Sequence, residues 1–386
     1  MAWLPSVAKS FDWDDGKGQL HGFLTQGLVA STGNNFYGDS RRNVSLDFRE
    51  IGLNGSYHVT PGIQLSAQII SRRTGEIDDS PLWLDYAFVD AVLAQNETTK
   101  LGIRLGRMKN PYGLYADTRD VAFTRPGIIV PQSIYFDRTR KLSLSGDGIH
   151  LYGSFQAPGG NIDAVFGIAQ LPTNDRSGKS VLVGSNANGE LASDRPSLGF
   201  RILYETDNGR WRGGVTYLTM RTKYQAVASD QFPISDRKIG LEPLIFSLQY
   251  LGEQWTITGE FTQYRTEVTQ NRTVVLHSIS DGWYLQSQYR FKPQWELLLR
   301  YESALSDKND PDGKDFAAKY PGQQAFSRYS HDWVAGLRYD VNASFMVRAE
   351  LHHIKGTNWL SSLENPVPGD IVRNWNMLML LGSYRF

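Results

Sequence analysis

From about residue 20 onward, apolar and polar side chains alternate one for one along this chain. In one stretch Trp283, Leu285, Tyr289 and Phe291 share a face, opposite Gln286, Gln288 and Arg290. After a break at Lys292 and Pro293, Trp295, Leu297, Leu299 and Tyr301 resume it, opposite Glu296, Arg300 and Glu302. The pattern returns as Trp333, Ala335, Leu337 and Tyr339 against Arg338 and Asp340, and as Phe345, Val347, Ala349 and Leu351 against Arg348 and Glu350. A period of two marks extended chain, because successive Cβ atoms of a strand point to opposite sides. Sixteen such strands are expected, near 20–30, 44–57, 63–72, 82–95, 99–107, 147–157, 161–171, 197–206, 210–220, 241–251, 254–265, 282–291, 294–304, 332–340, 344–355 and 375–386. Runs of roughly ten to twelve residues exceed the ~5–6 usual for globular strands and match the ~9–11 that cross a bilayer at a tilt.

The placement of aromatics separates a soluble sheet from a membrane barrel. They sit at run ends and flank aliphatic middles, as in Trp255 to Phe261, Trp283 to Phe291, Trp295 to Tyr301 and Trp333 to Tyr339. That is the pattern of two interfacial girdles. A Tyr recurs at the ends of runs (Tyr57, Tyr204, Tyr250, Tyr289, Tyr339, Tyr384), and in the first five a short polar turn follows. Connections alternate between short, as at 59–62 and 292–293, and long, as at 108–146, 266–281 and 305–331. The fold expected is therefore all-β: a transmembrane antiparallel β-barrel over 20–386, preceded by a periplasmic N-terminal segment, 1–19. An even strand count places both termini on the short-turn, periplasmic side. Runs 20–30 and 375–386 depart from clean alternation: Phe23, Gly27 and Val29 back onto Leu24 and Leu28, and Trp375, Met377, Met379 and Leu381 back onto Leu378 and Leu380. Packing of this part of the wall against other protein would explain them.

Composition narrows the function. The 40 basic and 40 acidic side chains cancel, which gives no general attraction to nucleic acid. There is no Cys, so disulfides and thiolate metal sites are excluded. No run of about 18 apolar residues offers a membrane helix. The start lacks the basic head and apolar middle of a signal peptide, so an exported protein is expected to have lost its signal. No enzyme is expected: the seven His are scattered, and His352 and His353 point to opposite faces of one strand. The Asp-rich stretch 307–315 fails the calcium-loop register, with Lys308 and Lys319 at ligand positions. No cofactor or metal is expected.

Residues 108–146 form the longest connection. Ile128, Ile129 and Val130, with Tyr112, Tyr115, Phe123, Ile134, Tyr135 and Phe136, are too apolar to float in water. The segment is expected to fold into the barrel and narrow it. Eight basic residues (Arg104, Arg107, Lys109, Arg119, Arg125, Arg138, Arg140, Lys141) stand against Asp117, Asp120 and Asp137. At a constriction such an excess favours anions. On the wall, Arg300, Arg348, Glu302 and Glu350 are candidates for lining the passage.

The final run, ending "LLGSYRF" with Phe386 after alternate aromatics, resembles the closing strand of Gram-negative outer-membrane porins. Residues 106–148, "GRMKNPYGLYADTRDVAFTRPGIIVPQSIYFDRTRKLSLSGDG", resemble the third-loop region of the phosphate-selective-like, 16-stranded trimeric group. The resemblance implies a diffusion channel for small hydrophilic solutes in the outer membrane. Its implied partners are membrane lipid, lipopolysaccharide and two further copies of the chain. The alternative is a barrel that serves as receptor or scaffold for another protein.

Overall fold

The computed structural model describes residues 10–79, 82–173, 175–230 and 235–386. Its strands are β1 (Gly18–Ser31), β2 (Ser45–Thr60), β3 (Ile63–Thr74), β4 (Trp83–Gln95), β5 (Thr99–Lys109), β6 (Ser145–Ala157) and β7 (Gly160–Gln170). Next come β8, in two pieces (Glu190–Ser193 and Ser197–Thr206), and β9, also in two (Trp211–Leu218 and Met220–Gln225). The rest are β10 (Arg237–Leu251), β11 (Trp255–Gln270), β12 (Thr273–Lys292), β13 (Trp295–Leu305), β14 (Tyr329–Asp340), β15 (Phe345–Gly356) and β16 (Asn374–Arg385). Each pairs antiparallel with its sequence neighbours, and β16 pairs with β1, which closes a 16-stranded barrel.

The alternation sets which face is which. Leu285, Leu299 and Leu351 are 55%, 54% and 55% exposed, whereas their neighbours Gln286, Arg300 and Glu350 are buried. Apolar residues thus form the outer surface and polar ones the inner. Aromatic rings meet across strands in two belts. At the short-turn end lie Trp211–Tyr250, Trp255–Tyr289 and Trp295–Tyr339, with centroids 4.9, 4.2 and 4.5 Å apart. At the other end, Trp283, Tyr301 and Trp333 form a row. Rings that are apolar in body and polar at the tip suit the two edges of a bilayer.

The closing seam runs from Met377 opposite Ser31 to Arg385 opposite Phe23. Gly22 and Phe386 exchange two backbone hydrogen bonds of 3.2 and 3.1 Å. The Phe386 ring lies over Gly22, where a Cβ would come within 2.4 Å of it. A glycine is required there so that the terminal ring can lie against the wall.

Three differences from the sequence reading have physical causes. The expected long connection 266–281 is a tight turn instead: β11 and β12 continue upward and join at Asn271 and Arg272, both at positive φ (49° and 65°). Here Val274, Val275 and Leu276 follow one another and residues 271–277 are all exposed, so the one-for-one alternation lapses and a period-two pattern does not register it. Second, the inward apolar residues of the seam (Val29, Trp375, Met377, Met379, Leu381) pack on Phe36, Tyr37, Ile128, Ile129, Trp359 and Leu360 of the same chain. Their inner face needs no second subunit. Third, the expected N-terminal segment is not separate throughout: Phe11–Trp13 folds back as a hairpin on Gly18–Leu20. The remainder of that segment, residues 1–9, lies outside the described residues.

Candidate functional site

The connection from Asn110 to Leu144 is tied to the polar face of the barrel through its backbone. Three acids of the wall receive its N–H groups. Glu350 on β15 accepts from Ile128 at 2.5 Å, Glu302 on β13 from Ser133 at 2.9 Å, and Glu260 on β11 from Leu114 at 3.0 Å. Four arginines donate to its carbonyls. Arg201 reaches Gly113, Arg338 reaches Phe123, Arg300 reaches Ile129, and Arg348 reaches both Arg125 and Gly127. An irregular segment leaves many backbone groups unpaired, and charged side chains on a neighbouring sheet satisfy them. The four wall candidates read from sequence (Arg300, Glu302, Arg348, Glu350) are all buried beneath this segment. They hold it in place and do not face open space.

Apolar contacts complete the attachment. Tyr112, Tyr115, Val130, Ile134 and Tyr135 cluster with Leu218, Ile245 and Tyr284 of the wall. Glu260 collects four donors at this point: the Leu114 N–H and the hydroxyls of Tyr135, Tyr284 and Ser247.

The charged residues of the segment meet partners that lie elsewhere in the sequence. Asp137 accepts from Arg72 at 2.5 Å, Arg119 at 2.9 Å and the Tyr37 hydroxyl at 2.6 Å. Arg125 reaches Glu50 on β2 at 2.8 Å, and Arg72 reaches the same carboxylate at 3.2 Å. Lys109 bridges Asp85 and Asp120, Arg140 bonds Asp120, and Lys141 pairs with Asp78 at 2.7 Å. Among the described residues, six cations (Arg72, Lys109, Arg119, Arg125, Arg140, Lys141) therefore share five carboxylates (Glu50, Asp78, Asp85, Asp120, Asp137). Burial raises the Asp137 carboxyl, but Arg72, Arg119 and Arg140 outweigh it and hold the group well below the usual carboxylate range.

The eight-to-three excess is thus nearly balanced once the fold is made. Sequence counting missed Glu50, Asp78 and Asp85 because they reach the segment from β2, from the β3–β4 connection and from β4. Arg107 faces outward and pairs with Asp147 at 2.7 Å, and Arg138 donates to the Leu360 carbonyl at 2.6 Å. Asp117 pairs with Arg201 at 2.7 Å. Arg104 is the exception. It pairs with Asp90 through Nε at 2.8 Å, yet its side chain stays 36% exposed.

The Asp-rich stretch holds its own turn. Asp310 caps the short helix Lys314–Lys319 by accepting from the N–H groups of Asp315 and Phe316.

Comparison of the sequence with family descriptions and with curated proteins gives no match. Solved structures do resemble it. An anion-selective porin from Comamonas acidovorans superposes with a TM-score of 0.62 at 14% identity, over 96% of this chain and 99% of that one. OmpF of Salmonella typhi, in complex with daunomycin, gives 0.60 at 14% identity, over 98% and 100%. A trimer form of the outer-membrane protein OmpT of Vibrio cholerae gives 0.57 at 11% identity, over 96% and 99%. At these identities the likeness establishes a shared architecture, the 16-stranded barrel of outer-membrane porins.

Proposed function

We propose that this protein is an outer-membrane diffusion channel for small hydrophilic solutes, with a modest preference for anions. The observation that carries this reading is the closed barrel itself: an apolar outer wall between two aromatic belts encloses a polar interior. Sixteen strands leave room for an aqueous passage, which eight do not. The segment 110–144, tied to the wall from β8 to β15, is the element that narrows the passage. This narrowing is what turns a wide tube into a sieve.

The anion preference is smaller than the charge count of residues 104–141 suggests, because five of those eight cations belong to the buried, nearly neutral network. We assign the remaining preference to Arg104, which keeps exposed surface on the inner face. The likeness to an anion-selective porin supports this direction. The resemblance of residues 106–148 to the phosphate-selective-like group is carried no further than an anionic solute, since no ladder of phosphate-binding residues is matched. The same reading places the barrel in the outer membrane, with both termini periplasmic, lipid and lipopolysaccharide around its wall, and a homotrimeric assembly.

Reconstitution into planar bilayers tests the proposal. The expected result is a voltage-independent conductance, with a reversal potential of anionic sign in a salt gradient. Silent bilayers from protein shown to be folded would overturn it.

A further inference from the structure

Arg104 is held in an unusual way for a residue on a permeation path. It projects inward from β5, and its guanidinium stacks between two rings, 4.6 Å from the Tyr152 centroid and 5.6 Å from that of Phe88. Tyr152 is itself fixed. Its hydroxyl donates to Asp90 at 2.6 Å, and its ring lies on Gly102, where a Cβ would fall 2.2 Å from the ring. Asp90 takes only the Nε of Arg104. Among the described residues, neither terminal nitrogen has a protein acceptor. The guanidinium is therefore locked in plane, and its outer fork is left open.

The row that Arg104 shares across β6, β7 and β8 holds one side chain and two glycines. Opposite Arg104 on β6 stands His150, whose ring lies flat against Gly167 of β7, where a Cβ would come within 2.6 Å. The next position, on β8, is Gly199. Glycines thus flatten the wall on two strands, β7 and β8, with Pro111 of the segment lying over Gly199. Lys100, on the same face two rows below, holds its ammonium 6.0 Å from the Tyr152 centroid and adds positive potential.

A freely rotating lysine attracts any anion by charge alone. A planar guanidinium with two parallel N–H donors also matches the two coplanar oxygens of a carboxylate. Clamping by aromatic faces removes the rotamer freedom that binding would otherwise have to freeze. We propose that Arg104, clamped by Tyr152 and Phe88 and oriented by Asp90, is a subsite on the permeation path that binds carboxylates in preference to halides of equal charge. This rests on the channel reading and names the solute class within it.

Single-channel conductance of the full chain, measured against concentration in potassium propionate and in potassium chloride, tests the subsite. The propionate curve is expected to saturate at a concentration about tenfold below that of chloride, as a fork worth one decade requires. Arg104→Lys keeps the charge and loses the fork, so early propionate saturation should disappear. Gly102→Ala, which displaces Tyr152, should weaken saturation without altering the charge. Heat-modified migration on gels checks that each variant has folded. If both salts give superimposable curves in a working channel, or if the lysine variant still saturates early in propionate, the subsite is wrong and the channel reading stands. If the folded wild-type chain conducts neither salt, both fall.

Discussion

Asp137→Asn isolates what the buried network does. The residue lies in the segment between β5 and β6, so the change leaves every strand ladder intact. In the native arrangement both carboxylate oxygens are occupied: one by Arg72 and Tyr37, the other by Arg119. An asparagine can present only one acceptor, and its amide N–H₂ must point at a guanidinium. The network falls from five carboxylates to four while six cations remain. Breaking a buried pair by removing one partner costs about 3–5 kcal/mol. At 1.4 kcal/mol per decade, about 4 kcal/mol raises the population of the detached segment nearly a thousandfold. The barrel itself should persist, because its hydrogen bonds run between strands that the change does not touch. Two assays read the outcome. Trypsin should cut the variant within 110–144, where Arg119 and Arg140 are buried and Arg138 and Lys141 half-buried in the wild type. Single-channel records should show added fluctuation and a larger mean conductance. Tyr37→Phe serves as the graded control, since it removes one hydrogen bond worth about 1 kcal/mol. If Asp137→Asn matches the wild type in both cleavage and conductance, the network does not hold the segment, and the argument from buried charge fails.

Other expectations are narrower. In the connection 357–373, burial pushes the Glu364 carboxyl up to about 7, against the pull of the Gly38, Glu76 and Tyr37 N–H groups and with help from nearby Glu76. A raised carboxylate binds more protons when docked, so docking is strongest below pH ~4.5, weakens as pH rises to about 7, and is flat above, a span of about 3 kcal/mol. Hydrogen exchange of 357–373 across that range should show increasing exposure, and Glu364→Gln should abolish the trend. Phe386→Ala strips the ring from Gly22 at the seam, where it is 37% exposed, and should cost about 1–2 kcal/mol, read as a lower unfolding temperature in detergent. Arg272→Gly relieves a left-handed residue in the β11–β12 turn and should be neutral or stabilising by up to about 1 kcal/mol, whereas Arg272→Val should lower stability.

The strands were legible because a bilayer imposes a rule that can be read one residue at a time. Leu285 and Gln286 differ in side because one meets lipid and the other does not. The same rule failed where its cause was absent. Around Asn271 both faces are exposed and the alternation lapses at Val274, Val275 and Leu276, so a hairpin passed for a loop. The candidate site was legible in its location and not in its charge. Arg125 could be seen to need a partner, but Glu50 lies on a strand whose register with the folded segment no local pattern reveals. Glu302 and Glu350 were recognised as inward, yet their task depended on which backbone N–H would come to rest beside them. Arg104 looked like one cation among eight. What distinguishes it is the pair of rings on either side, brought there by β4 and β6.

The seam between β1 and β16 bears on how the molecule is made. Thr25 and Ser383, whose hydroxyls meet at 2.8 Å, are separated by 358 positions. The N-terminal hairpin covers only Gly18–Leu20 of the β1 edge, and each of the two strands already has its only other neighbour. An unclosed sheet of sixteen strands, joined by fifteen ladders, would therefore carry an open edge at each end, able to pair with any other chain nearby. Ladders between sequence neighbours form quickly, while one that joins such distant segments is slow. Closure is then the late, rate-setting event of assembly, and the interval before it is when the chain most needs shielding from its own copies.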